Sequence, residues 1–431
     1  MKVGFISLGC SKNLVDSERV MGLLKHNGFE FTSHPQDADY LFVNTCGFIN
    51  SAKEESINTI LEMAEYKEDK CKKLFVLGCL SQRYRDDLIE QLPEVDRFIT
   101  IDEYPNLEAI LQEEMEFPFV GCAHPRMLTS DPWMAYIKIA EGCSNRCSYC
   151  AIPLIRHDYV SYDFETIIEE AKMLASKGVK ELNVIAQDTT RYGIEKYGER
   201  RLLELLQELN KIEGLHWIRV LYMYPDEIDD ELVVGMKELD KVLPYFDIPV
   251  QYGNDRMLQL MNRRGTVEEI KHTINLIRST FKHSVLRTTM IVGFPKETDE
   301  DFNDLMDFIK EVKWDRLGAF TYSLEEDTAS YDMEPKVDEE VAERRLAILM
   351  QEQERIAQEN AEKLVGETLE VLVESVDGLT HMYRGRSMYS APDGIDGLVM
   401  FKSNKPIKMG EFVNVKITKA QTHDLVGVVE E

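Results

Sequence analysis

Twice along this chain, short β-type runs alternate with amphipathic helical stretches, and that alternation restricts the fold more than any other feature. In residues 1–117 the runs are VGFIS, YLFVN, KLFVLG and RFITI, with the clearest helices at 17–27 and 53–67. Strand, helix, strand in succession makes parallel crossovers, so the sheet is covered on both faces and its strands are apolar throughout. From near Trp133 the alternation resumes with MAYIKIA, ELNVIA, WIRVLYMY, YFDIPV, VLRTTMIVGF and LGAFTY. Helical stretches at 163–177, 202–212, 228–239, 266–280 and 299–312 separate them. Six strand–helix units suit an open or partial βα barrel, since a closed one wants eight units and about 250 residues.

After Pro335 a helix rich in Glu, Ala, Arg, Leu and Gln runs over 338–365, stops at Gly366, and is expected to pack along the barrel. Beyond it the pattern turns to TLEVLVESV, GLVMF and EFVNVKITKA with turn signals SAPDG and KMG, which predicts a small antiparallel β-barrel of about five strands. The expected organisation is an α/β protein in three domains. A parallel-sheet α/β domain occupies 1–117, a partial (βα)6 barrel with its long helix 129–360, and the small β-barrel 361–431.

Acidic residues outnumber basic ones 78 to 50, a net charge of −28. Such a surface repels nucleic-acid phosphates and anionic lipid and favours basic partners. Met1-Lys2 leads directly into VGFIS without the pattern of a signal peptide, and no run of 18 apolar residues occurs. The chain therefore reads as cytoplasmic, with no membrane partner. In that compartment eight cysteines favour metal binding or chemistry over disulfides.

Three of the first region's strands end on cysteine: VGFISLGC on Cys10, YLFVNTC on Cys46 and LFVLGC on Cys79. The gaps are 36 and 33 residues, each about one βαβ unit. The three thiols then leave the same edge of one parallel sheet, where neighbouring strands stand about 5 Å apart. Any one of them could be a small buried apolar residue, but the repeat at matching positions argues for a shared ligand. Cys71 and Cys122 lack such placement. The second region's first strand leads into EGCSNRCSYC, with Cys143, Cys147 and Cys150 spaced C-x3-C-x2-C. Three thiolates on one loop hold three irons of a [4Fe–4S] cluster and leave the fourth open. Structural zinc would want a fourth ligand, such as His157, and paired C-x2-C knuckles, of which one is present.

C-x3-C-x2-C after the first strand of a six-unit barrel resembles the radical S-adenosylmethionine (AdoMet) family. That resemblance implies AdoMet chelated at the open iron of a cluster on Cys143, Cys147 and Cys150, Tyr149 near the adenine, and Gly293, Phe294 and Pro295 of IVGFP lining the cofactor. A second cysteine trio ahead of the barrel is similar to the methylthiotransferase family, and the likeness spans essentially the whole chain. It implies a second, auxiliary [4Fe–4S] cluster on Cys10, Cys46 and Cys79, and a carboxyl-terminal TRAM domain. SLGCSKNLVDSE, AQDTTRYG, GERRLLELLQEL, LYMYPDEI and VLRTTMIVGFP resemble the branch that methylthiolates an aspartate β-carbon in the twelfth small-subunit ribosomal protein. The other main branch modifies adenosine in tRNA. The implied reaction methylates a sulfur at the auxiliary cluster with one AdoMet and uses a second, cleaved to a deoxyadenosyl radical, to abstract hydrogen from the aspartate β-carbon.

Four positions depart from the family pattern: Ser11 in place of proline, His157 and Lys296 in place of glycine, and Tyr252 in place of histidine. Charge favours the protein-modifying branch, because residues 366–431 carry seven Lys/Arg against ten Asp/Glu, leaving at most a local basic patch at Lys402, Lys405 and Lys408. The expected partners are a basic ribosomal protein, free or on the small subunit, an electron donor and a sulfur source, with direct RNA binding disfavoured. An electron-transfer iron–sulfur protein would need neither the barrel nor open-iron spacing. A scaffold acting through the β-barrel alone would tolerate serine at all six cysteines.

Overall fold

In the computed structural model, which describes residues 1–430 apart from Asp393 and Ile395, the chain folds as three successive units. The first is a five-stranded parallel sheet of order β2-β1-β3-β4-β5, from β1 (Lys2–Ser7), β2 (Glu30–Phe31), β3 (Tyr40–Thr45), β4 (Lys73–Gly78) and β5 (Arg97–Ile99). Helices α1 (Ser11–His26), α2 (Asn50–Glu65), α3 (Cys79–Gln91) and α4 (Leu107–Met115) connect and cover the strands. All six residues of β3 are buried, as a strand covered on both faces requires.

The second unit is a six-stranded parallel sheet of order β13-β12-β11-β10-β9-β6 that curls without closing. Its strands are β6 (Met134–Lys138), β9 (Glu181–Ile185), β10 (Trp217–Val220), β11 (Val242–Asp247), β12 (Val285–Val292) and β13 (Arg316–Thr321). A short ribbon of β7 (Ala140–Glu141) and β8 (Val160–Ser161) flanks the first turn. The helices are α5 (Ile152–Arg156), α6 (Phe164–Ser176), α7 (Ile194–Tyr197), α8 (Leu202–Asn210), α9 (Asp230–Lys237), α10 (Asp255–Leu260), α11 (Val267–Thr280), α12 (Asp299–Val312) and the long α13 (Glu339–Glu362). Packing faces follow helical spacing: α6 buries Phe164, Ile167, Ala171 and Leu174. Reciprocal caps start α11 (Thr266 with Glu269) and α12 (Thr298 with Asp301).

The third unit is a closed barrel of β14 (Thr368–Val376), β15 (Tyr383–Arg386), β16 (Val399–Lys402), β17 (Phe412–Ala420) and β18 (Leu425–Val429). Its pairs are antiparallel except β16 with β18, which run parallel. This barrel packs against the amino ends of the larger one. Met134, Trp217 and Val285, at the starts of β6, β10 and β12, share an apolar cluster with Leu372 and Tyr389. Glu181 at the start of β9 is fully buried and holds Arg386 (3.0 and 2.5 Å) and Arg219 (3.1 Å). Asp396 meets the Tyr245 hydroxyl, and Phe412 packs edge-on to Trp217 at 4.7 Å.

The first helix differs from its sequence expectation: α1 begins at Ser11, not near residue 17. Residues 12, 13, 16, 17 and 18 are polar and yet buried, so apolar spacing alone marks only the later turns. Helices α3, α4, α5, α7 and α10 and strands β2, β15 and β18 are among the additions to the elements singled out from sequence.

Candidate functional site: two cysteine trios at one seam

Cys143, Cys147 and Cys150 lie on the turn between the first barrel strand and α5, tied internally and to its neighbours. The Cys143 N–H donates to His157 O (3.0 Å) and the Cys150 N–H to Cys147 O (3.0 Å). Asn145 Nδ2 donates to Asp188 Oδ2 (2.7 Å), and the Ser148 N–H to Met261 O (2.9 Å). Buried Arg263 places Nη1 3.6 Å from Cys147 Sγ and stacks its guanidinium 4.1 Å from the Tyr224 ring centroid. Loss of water pushes the Cys143 thiol up to about 11 and Cys150 higher still, with the neighbouring Cys147 adding to both.

The other trio is assembled by strand register. Thr45 stands opposite Gly78, so Cys46 and Cys79, the next residues, leave adjacent strands side by side. Ser7 of β1 stands opposite Asn44, which brings the turn bearing Cys10 to the same edge. One side chain ties the three turns together. Asn13 Nδ2 donates to Leu8 O (3.2 Å) and Thr45 O (2.9 Å), while its Oδ1 lies 3.4 Å from Cys79 Sγ. Cys10 caps α1 and Cys79 opens α3, so two helix amino termini face this point and favour negative charge there. Burial pushes the Cys79 thiol up to about 12, and Arg156, with Nη2 3.6 Å from Cys79 Sγ, pulls the other way.

The donor chemistry of each trio suits an iron–sulfur cluster. A bound cation displaces the thiol protons, and Arg156 and Arg263 complement the negative charge of thiolate ligation. Among the described residues no three His, Cys, Asp or Glu side chains converge on a single ion. A cubane is ligated at separate irons, so its thiolates spread around it instead of closing on one point. His157 does not join either trio: its Nε2 meets Asp102 Oδ1 at 3.0 Å.

Both trios lie on the seam between the first unit and the barrel. On one side Cys79 packs against Ala151 and Ile155, immediately after Cys150. On the other the chain leaving β10 links them. Tyr224 lies on Arg263, beside Cys147, and the ring of Tyr222 carries Lys12 Nζ at 2.8 Å. Tyr222 and Tyr224 are two residues apart, an extended reach of about 7 Å. Tyr222 adopts φ 61°, a left-handed conformation unusual for an aromatic residue, and its N–H donates to Asp247 Oδ2 (2.9 Å).

The seam is closed by buried ion pairs that α1 supplies, and the sequence argument missed their roles. Asp16 holds Lys138 (2.5 Å) and Arg156 (3.0 Å), Glu18 holds Arg126 (2.5 Å), and Arg19 holds Glu170 (3.0 Å). Arg126 also pairs with Glu170. Farther out, Lys53 and Arg83 both grip Glu325 (3.1 and 3.0 Å). The signal in the sequence was a helix whose charges interrupt its apolar face: such charges need distant partners.

Other singled-out positions fall as follows. Tyr149 packs against the barrel core beside Cys147 and Arg263. The Phe294 N–H donates to Glu297 Oε2 (3.0 Å), the Gly293 N–H meets the same oxygen, and Arg345 holds Oε1 (3.0 Å). Pro295 completes that turn. The Tyr252 ring is buried with its hydroxyl beside the Glu297 carboxyl. His157 (φ 60°) and Lys296 (φ 69°) are both left-handed, which explains why glycine suits these two positions. Ser11 Oγ lies 3.4 Å from the Tyr222 hydroxyl.

Residues 2–100 match the uncharacterized protein family UPF0004, 137–309 the radical SAM superfamily, and 365–429 the TRAM domain. The ribosomal protein uS12 methylthiotransferase RimO of Acetivibrio thermocellus is 47% identical over 99% of this chain and 98% of its own length. The proteins of that name from Caldicellulosiruptor saccharolyticus and Clostridioides difficile are each 48% identical over 100% of this chain, covering 100% and 99% of their lengths. Among solved structures, the radical AdoMet methyltransferase TsrM from Kitasatospora setae superposes with a TM-score of 0.57 at 12% identity, covering 88% of this chain and 81% of TsrM. The cobalamin-dependent radical enzyme OxsB superposes at 0.52 and 12%, covering 82% of this chain and 57% of OxsB. At such identities the likeness shows the fold alone, whereas the full-length relatives show kinship: the chain belongs to the RimO family of radical AdoMet methylthiotransferases.

Proposed function

We propose that this protein inserts a methylthio group at the β-carbon of an aspartate in ribosomal protein uS12. In this reading Cys143, Cys147 and Cys150 hold the cluster that binds AdoMet, with Tyr149 and Gly293–Pro295 lining the cofactor, and Cys10, Cys46 and Cys79 hold the auxiliary cluster. The domains are 1–117, 129–360 and 361–431. The observation that carries the proposal is the meeting of both trios at one seam, joined through Asn13, Arg156 and the Tyr222–Tyr224 segment.

When bound, the clusters and AdoMet supply radical formation and a transferable sulfur, the chemistry that a carbon–hydrogen bond without useful acidity demands. The chain's part is placement and exclusion of water. Asn13 fixes the three strand-end turns against one another, and Arg156 spans from the auxiliary trio to Glu141 beside the other loop (2.7 Å). The net charge of −28 suits a basic ribosomal protein, and an electron donor and a sulfur source complete the partners. Among the described residues no helix is long and apolar enough to cross a membrane. The TRAM match favours contact with RNA beside this reading, while the full-length relatives favour uS12 over tRNA adenosine as the substrate.

The test is anaerobic reconstitution with iron, sulfide, reductant and AdoMet, offering uS12 and tRNA separately. Mass spectrometry is expected to find a gain of S and CH2 on the aspartate of uS12. Gain on the RNA alone would overturn the proposal.

A further inference from the structure

Among the described residues two buried cations of the seam pair with no carboxylate: Arg263, which donates to the Pro249 carbonyl and Cys147 Sγ, and Lys12. Arg126, Lys138 and Arg156 each hold a carboxylate. Lys12, the second residue of α1 and only 3% exposed, holds none: among the described residues no acid lies within ion-pair reach of its ammonium. The acids around it are already engaged. Asp16 and Glu141 are shared between Lys138 and Arg156, and Asp247 accepts from the Tyr222 N–H and faces Arg287 at 3.7 Å. The Lys12 Nζ instead stands over the face of Tyr222, whose left-handed backbone holds the ring at the carboxyl end of β10. A buried ammonium whose near support is a ring face and the Cys10 sulfur, with no carboxylate in reach, is poorly compensated and has affinity for an anion.

Its position gives that anion a use. Lys12 lies two residues after Cys10, on the face of α1 that meets the barrel, and Tyr222 leads directly to Tyr224 and Arg263 beside Cys147. A group bound at Lys12 is therefore between the two trios. In aspartate the carboxyl carbon is bonded directly to the β-carbon, so a grip on the carboxylate places the β-carbon within about 1.5 Å of a fixed point. We propose that Lys12 is the specificity residue that receives the carboxylate of the substrate aspartate at the seam. This deepens the proposed function and rests on its reading of the substrate as an aspartyl side chain. A lysine serving only to balance thiolate and cluster charge would be indifferent to the substrate's own charge.

The experiment measures binding, without turnover, of fluorescent uS12 peptides to the anaerobically reconstituted protein. One peptide carries the target aspartate and the other asparagine, which has nearly the same shape without the charge. The wild type is expected to prefer the aspartate peptide about tenfold or more, a difference of about 1.4 kcal/mol. Lys12→Met is expected to bind both alike, at the strength of the wild type's asparagine complex, and Lys12→Arg to regain part of the preference. Iron content and circular dichroism verify that each variant is folded and loaded. If Lys12→Met keeps the aspartate preference, or weakens both peptides equally, the assignment to Lys12 fails while the aspartate reading survives. If the wild type itself shows no preference, the substrate reading fails and takes the assignment with it.

Discussion

The two cysteine trios reach similar chemistry by opposite constructions. Cys143, Cys147 and Cys150 fall within eight consecutive residues, so the chain itself brings them together, and Asp188, Met261 and Arg263 steady the loop from outside. Cys10, Cys46 and Cys79 span 70 residues and come together only if three strands pair in register and Asn13 crosses between their turns. A site encoded locally survives loosening elsewhere, whereas a site encoded by topology is as fragile as the packing that supports it.

The largest expected effect separates the trios outright. Cys46→Ser should remove about four irons and all methylthio product yet leave AdoMet cleavage measurable as 5′-deoxyadenosine. Cys147→Ser should remove about four irons and abolish both. Loss of cleavage in Cys46→Ser would show that the sites are not separable.

Next comes the seam. Arg126→Met leaves Glu18 and Glu170 buried without their shared cation, a loss of about 3–5 kcal/mol. Chemical denaturation should show that loss, and the iron lost first should come from the assembled trio. Equal loss from both sites would erase the contrast.

Acid should act on the two sides with opposite sign. Burial alone would raise Glu170, but Arg19 and Arg126 hold it below the ordinary carboxylate range, so its stabilisation is present above about pH 4.5 and fades as pH falls. Asp188, behind the local loop, is raised by burial, so protonation there favours the fold as pH falls. A titration from pH 6 towards 3, following cluster absorbance in Cys46→Ser and Cys147→Ser, should find the assembled site failing at the higher pH. The smallest expected effect is His157→Gly. It relieves a left-handed histidine and gives up an exposed pair with Asp102, a net change within about 1 kcal/mol by thermal unfolding.

The same contrast governs what the sequence made legible. The strand–helix alternation and the C-x3-C-x2-C loop are short-range patterns, and they located the sheets and the local trio. The assembled trio was accessible because each cysteine ends a strand, a position that repeats. Partners joined across the seam were not. Nothing in the sequence pairs Asp16, Glu18 and Arg19 with Lys138, Arg126 and Glu170, which only the fold sets opposite them. Lys12 and Asn13 obscured the start of α1 for the same reason, since a buried polar side chain breaks apolar spacing. Likewise His157 and Lys296 look arbitrary in sequence, and only their positive φ angles show what a glycine would contribute there.

The docking of the small barrel has a practical consequence. Glu181 depends on Arg386, Arg219 on the Met388 carbonyl, and Trp217 on Glu370 and Phe412 for partners. Truncating the protein before β14 would strip this floor away and flood it with solvent, so a shortened enzyme would report damage to its foundations, whatever the missing part binds. Changes confined to the outer lysines at 402, 405 and 408 leave the floor intact and are the cleaner way to ask whether that surface touches the ribosome.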